Sequence, residues 1–164
     1  VARKLPFPDQ PEAGFGAIAE DGSVYVQEDA LKWMDPGEVE RITRQQKEEA
    51  ERRVDRFRRG RPLPEVSGRD VILVDDGIAM GSTVNAAIML LRSRKAAKIT
   101  VAAPVAGPEV SESLKKVADE VIVLERPPFF RAVAQVYTNW HDVSDEEVLT
   151  ILDKWQEMRT GGRP

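Results

Sequence analysis

The sequence predicts an α/β fold built on a parallel sheet, and three observations carry that prediction. Val71-Ile72-Leu73-Val74, Ile99 to Val105 and Val121-Ile122-Val123-Leu124 are continuous apolar runs, the mark of strands covered on both faces. Ala86 to Leu91 and Val110 to Ala118 read as helices standing between them. Strand and helix in alternation point to parallel strands joined by crossover helices. The expected architecture has three layers. A central parallel sheet holds strand 71–74 in its middle, with helices on both faces. A β-hairpin and a long charged helix are additions to it.

The elements follow in order. Pro6, Pro8, Pro11 and Gly14 make residues 5–14 a loop rather than a helix or central strand. Gly14 to Ala19 and Ser23 to Gln27 are apolar-rich runs joined by Glu20-Asp21-Gly22, a strong hairpin signal. Residues 37–59 form one charged helix, with Val39, Ile42, Ala50, Val54 and Phe57 near a single stripe. Asp35-Pro36 starts it and Gly60-Arg61-Pro62 stops it. Arg52, Arg53, Arg56, Arg58, Arg59 and Arg61 crowd its end. They either complement the carbonyl end of the helix or form a basic rim facing an anionic ligand. Ser144-Asp145-Glu146-Glu147 is a capping box. Behind it, Val148, Ile151, Leu152, Trp155 and Met158 give a last helix one apolar face. One domain is expected over 1–158, with 159–164 a disordered tail.

Composition excludes several function classes. The chain has 164 residues and no cysteine, so disulfides, thiolate metal sites and a cysteine nucleophile are ruled out. A single histidine, His141, excludes a multi-histidine metal cage and reads as surface structure. The net charge of −4 gives no reason to expect a nucleic-acid partner. No apolar run approaches the roughly 18 residues that cross a bilayer, so no membrane partner is expected. No apolar signal region opens the chain, and a cytoplasmic protein is expected. Trp33, Trp140 and Trp155 read as core or partner contacts.

The richest stretch is 71–83. A buried strand ends in Asp75-Asp76, and Gly77-Ile78-Ala79-Met80-Gly81-Ser82-Thr83 then leads into a helix. Unpaired N–H groups and the dipole at a helix N-terminus attract an anion. Gly81 lets a phosphate approach the backbone, and Ser82 and Thr83 add hydroxyl donors. Asp75 and Asp76 would repel a phosphate, but they can accept hydrogen bonds from sugar hydroxyls or reach a divalent metal through water. A ligand with both a phosphate and a ribose satisfies both halves. Open α/β sheets place ligands at this end of a strand.

This stretch resembles the phosphoribosyl diphosphate motif of type I phosphoribosyltransferases: four apolar residues, two acids, three variable positions, then Thr-Gly-x-Thr. Met80 stands where the family has its first threonine, and Ala79 where purine-salvage members carry a base-binding aspartate. Pro104-Val105-Ala106, Ala118-Asp119-Glu120-Val121, Tyr137 and Ser144 to Val148 are similar to an uncharacterised bacterial and archaeal subgroup.

The resemblance implies a type I phosphoribosyltransferase-like fold and an enzyme that transfers the phosphoribosyl group from 5-phosphoribosyl 1-diphosphate to an acceptor. It implies Mg²⁺ held through ligand and water rather than directly, and a homodimer as a candidate assembly. Asp75 and Asp76 would be catalytic, holding the ribose. Gly77 and Ala79 to Thr83 would complete the ribose and 5′-phosphate site. Arg3-Lys4, at the end of a presumed strand, matches the family's pyrophosphate-contacting basic pair. Residues 5–14 match its flexible loop, here with Asp9 and Glu12 but no cation. Phe129-Phe130-Arg131 falls where the family places a loop near the ribose and pyrophosphate or the acceptor; a packed aromatic pair is the other reading. The family's earlier strand and Gly-rich pyrophosphate loop have no counterpart in the sequence, so the N-terminal portion of the domain is expected to be absent. Met80 and the cation-free loop sustain an alternative, a non-catalytic regulatory module that binds phosphoribosyl diphosphate or a nucleotide. A phosphoacceptor receiver domain is excluded, because its acid pair belongs on the first strand and its later strands end in Asp and Lys. Here they end in Pro104 and Leu124.

Overall fold

The computed structural model describes residues 1–161. Among these, β1 (Ala2–Pro6), β2 (Gly14–Ala19) and β3 (Val24–Val26) form an antiparallel sheet in that order. A parallel sheet has the order β4 (Asp70–Val74), β5 (Lys98–Val105), β6 (Glu120–Glu125). The helices are α1 (Glu28–Leu31), α2 (Pro36–Arg58), α3 (Ser82–Ser93), α4 (Pro108–Leu114) and α5 (Asp145–Gly161).

The antiparallel sheet lies between two helices. α2 packs on β1 and β2, burying Ile42 with Leu5, Phe15 and Ile18. α3 packs on all three of these strands and also on β5, so it joins the two sheets. β2 is consequently buried along its whole length. Its Gly16 is required by space, since a Cβ there would lie 2.2 Å from the Tyr25 carbonyl oxygen. Ile88 and Leu91 of α3 and Leu114 of α4 meet Ile99, Val101, Ala103 and Val123 in the main core.

The long helix runs as the sequence predicts. The Asp35 carboxylate accepts a hydrogen bond from the Glu38 N–H at 3.0 Å, Pro36 opens the first turn, and Arg59 (φ +52°) and Gly60 (φ +76°) end it. The hairpin at Glu20-Asp21-Gly22 joins β2 to β3, with Gly22 at φ +88°. The capping box forms: Ser144 N–H donates to Glu147 Oε2 at 2.8 Å, and Glu147 N–H donates to Ser144 Oγ at 3.2 Å.

Three expectations are corrected. β1 extends through Pro6 and β2 begins at Gly14, which shortens the expected loop 5–14 to 7–13. Pro6 is tolerated because the register shifts between Leu5 and Pro6. Strand 71–74 is not central: β4 is an edge, and Ile72 and Val74 are 67% and 72% exposed. Only alternate residues, Val71 and Leu73, turn toward the core. The outer face of this sheet, which also shows Ile122 and Leu124, carries no helix among the described residues. Of the expected tail 159–164, α5 continues through Gly161, and residues 162–164 lie outside the described residues.

Candidate active site

Beyond β4 the chain turns sharply and is held on the end of β5. Asp75 N–H donates to the Ala102 carbonyl at 3.2 Å, and Ile78 N–H to the Val105 carbonyl at 2.9 Å. Gly107 N–H returns a bond to the Ile78 carbonyl at 3.2 Å. Asp75 Oδ1 accepts from Gly77 N–H at 3.1 Å, closing the turn beneath the acids. Gly81 has φ +74° and serves as the N-cap of α3, with no side chain capping that end. The first N–H groups of α3 therefore lack intrahelical partners and face outward. Ser82 is 7% exposed, and its hydroxyl oxygen is buried without a hydrogen-bond partner. An orphaned hydroxyl at an uncapped helix N-terminus can donate to an anion.

A cleft of about 430 Å³ opens over this turn. Asp75, Gly77 and the run Ile78 to Thr83 form its floor. Lys4, Glu12 and Gly14 of the β1–β2 hairpin form one wall. The Lys4 stem crosses Gly14, where a Cβ would come within 2.6 Å of Lys4 Cγ, and Lys4 Nζ donates to the Glu12 carbonyl at 2.7 Å. The other wall is the segment after β6, through Arg131 to Ala134, Trp140 and Asp142. Tyr137 pins that segment by donating from its hydroxyl to the Asp76 carbonyl at 2.6 Å. Burial raises the Asp75 carboxyl to about 6, and the hydrogen bond and charge of Asp76 beside it push the same way.

The cleft thus gathers Lys4, Asp75, Gly77, Ala79, Met80, Gly81, Ser82 and Thr83 of the residues the sequence singled out. Two stand apart. Asp76 is exposed beside the cleft and joins it through its backbone. Arg3 faces away, because neighbouring residues on a strand point to opposite sides. Its Nε lies 3.3 Å from Gln46 Oε1 of α2, and burial, then Arg53, hold its guanidinium below the ordinary value. The basic rim of α2 also leaves the site: Arg52, Arg53 and Arg56 pair with Asp145, Arg58 with Glu20, and Arg59 with Asp153. Sequence reasoning missed the anchoring role of Tyr137 and placed Trp140 among core or partner contacts. Nothing local in the sequence signals a hydroxyl that reaches back 61 residues. Phe129 is 86% exposed, so no packed aromatic pair forms there, while Phe130 approaches Gly107.

A parallel α/β sheet ending in an acid pair and an open helix N-terminus sets hydrogen-bond acceptors beside donors suited to an anion. Comparisons with known proteins name the family. Residues 18–139 match the family model for the phosphoribosyl transferase domain, and the chain belongs to that family. Two Mycobacterium tuberculosis proteins, from strains CDC 1551 and H37Rv, carry provisional phosphoribosyl transferase names. Each is 40% identical over 156 residues, which is 94% of this chain. The chain spans only 35% of the length of these curated relatives. The crystal structure of TT1426 from Thermus thermophilus superposes with a TM-score of 0.72 at 39% identity, covering 94% of this chain and 74% of that one.

Proposed function

We propose that the cleft binds 5-phosphoribosyl 1-diphosphate and that the protein transfers its phosphoribosyl group to an acceptor. The observation that carries this reading is the partnerless, buried Ser82 hydroxyl at the uncapped start of α3, next to the Asp75 carboxyl. The 5′-phosphate would take the N–H groups of residues 81–83 and the hydroxyls of Ser82 and Thr83. Asp75 would accept from the ribose hydroxyls, with Asp76 beside it. Lys4 would balance the charge of the departing diphosphate. In the reaction the acceptor's lone pair bonds to ribose C1, the C1–O bond breaks with its electrons leaving on diphosphate, and the acceptor's proton passes to solvent.

Mg²⁺ belongs to this proposal. Among the described residues no group of three or more His, Cys, Asp or Glu side chains could hold a metal. The two adjacent carboxylates suit a hydrated Mg²⁺ carried on the ligand. When bound, Mg²⁺ would supply neutralisation of diphosphate charge. A second reading, a regulatory module that binds the same ligand without turnover, draws on Met80 and on a 7–13 loop without a cation. Isotope-labelled phosphoribosyl diphosphate, incubated with Mg²⁺ and a panel of nucleobases, separates the two. Diphosphate release that depends on a base supports the transferase, and tight binding without release supports the module. Absence of binding rejects both.

A further inference from the structure

We infer that Tyr137 is a positioning residue for the Asp75 carboxylate, acting on it through the peptide bond between Asp76 and Gly77. The inference rests on the phosphoribosyl diphosphate reading above, which gives Asp75 the ribose hydroxyls. The Tyr137 hydroxyl donates to the Asp76 carbonyl at 2.6 Å. The Gly77 N–H donates to Asp75 Oδ1 at 3.1 Å. That carbonyl and that N–H belong to one planar unit and point in opposite directions across it. Phenol, peptide and carboxylate therefore form a single hydrogen-bonded chain. A donor on the carbonyl polarises the peptide and strengthens the bond that its N–H gives.

The surroundings leave this peptide little other freedom. Asp75 N–H is fastened to the Ala102 carbonyl and Ile78 N–H to the Val105 carbonyl, so the chain is fixed on both sides of residues 76–77. Val133 and Val105 close on Gly77, where a Cβ would stand 2.6 Å from Val133 Cγ1 and 3.0 Å from Val105 Cγ1. What remains is the tilt of the 76–77 peptide, and Tyr137 supplies the bond on its carbonyl. The phenol is half-buried, with its ring 5.3 Å from that of Trp140, so the donor is itself held. Tyr137 does not line the cleft and reaches a ligand only through the acids it sets. One fixed bond to a carboxylate sets the direction of its remaining lone pairs, which are the ones a sugar hydroxyl would meet.

The test uses the full chain and Tyr137→Phe, which removes the hydroxyl and keeps the ring. The probes are ribose 5-phosphate and 2-deoxyribose 5-phosphate, which differ by one hydroxyl, and calorimetry reads their binding. The parent is expected to prefer the ribose compound about tenfold, and Tyr137→Phe should narrow that preference to within about threefold. In an Asp75→Asn background the same change should alter affinity by no more than about twofold, because the group it acts on is gone. In the ligand-free protein, NMR should show the Gly77 amide moved by Tyr137→Phe while the α3 amides keep their shifts. Equal weakening of both probes marks a merely structural role and overturns the inference. So does an unmoved Gly77 amide, a full loss that persists in Asp75→Asn, or a parent without the hydroxyl preference. If ribose 5-phosphate binds with the preference and Tyr137→Phe leaves it intact, only the positioning role fails. If ribose 5-phosphate does not bind the parent, the phosphoribosyl reading fails and the inference falls with it.

Discussion

At the scale of residues, Asp75 sets a pH signature that needs no ligand. Its carboxyl sits near 6 against an ordinary 3.8, so between those values the folded state holds a proton that the unfolded state has released. Stability contributed at this position is therefore present at low pH and lost as pH rises through about 6. Asp75→Asn should remove that loss. Urea denaturation should show the variant gaining more over the parent at about pH 7.5 than at about pH 4. An equal difference at both pH values would mean that burial does not burden the carboxylate. Met80 makes a second case. Its side chain borders the cleft and is 47% exposed, so Met80→Thr fits without repacking. One regained hydroxyl is worth roughly 0.5–3 kcal/mol, and ribose 5-phosphate should bind several-fold tighter by calorimetry. The acids and the glycine turn that opens α3 were legible in the sequence because both are local features. The Arg3-Lys4 doublet was legible only by half, since strand alternation sends Arg3 to α2.

At the scale of elements, α5 is attached through charge. Asp145 at its first turn faces Arg56 at 3.2 Å, Arg52 at 3.6 Å and Arg53 at 3.9 Å, while Glu146 pairs with Arg56. Ile151 and Met158 remain 61% and 69% exposed, so apolar burial adds little there. Exposed pairs are worth about 0.2–1 kcal/mol each and weaken in salt. Asp145→Ala should cost about 1 kcal/mol of α5 attachment and speed hydrogen exchange in α5, with α3 unchanged. Salt at about 0.5 M should mimic the variant in the parent protein. Unaltered α5 exchange in both would place the attachment elsewhere. Long periodic segments and caps declared α2 and α5 in the sequence, because period and end signals agree. The four-residue α1 has no such period to show.

At the scale of the whole molecule, the parallel sheet is finished on one side only. Val71, Leu73, Val101 and Val123 lie in or against the main core, while Ile72, Val74, Ile122 and Leu124 stand on the open face. An unbroken apolar run cannot announce this division, since covered and uncovered strands share the pattern. Leu124 is 77% exposed, so Leu124→Lys and Val74→Lys should each change unfolding free energy by less than about 0.5 kcal/mol. Both should reduce binding of a hydrophobic dye such as anilinonaphthalene sulfonate. A loss above about 2 kcal/mol would show that the face is covered in solution.

The Tyr137–Trp140 ring pair has an optical consequence. Rings 5.3 Å apart exchange excitation efficiently, so light absorbed by Tyr137 emerges as Trp140 emission. Because the phenol is tethered to the Asp76 carbonyl and the indole borders the cleft, filling the cleft should alter that emission. The protein carries its own dye, and Trp140→Phe is the blank that isolates its signal from Trp33 and Trp155.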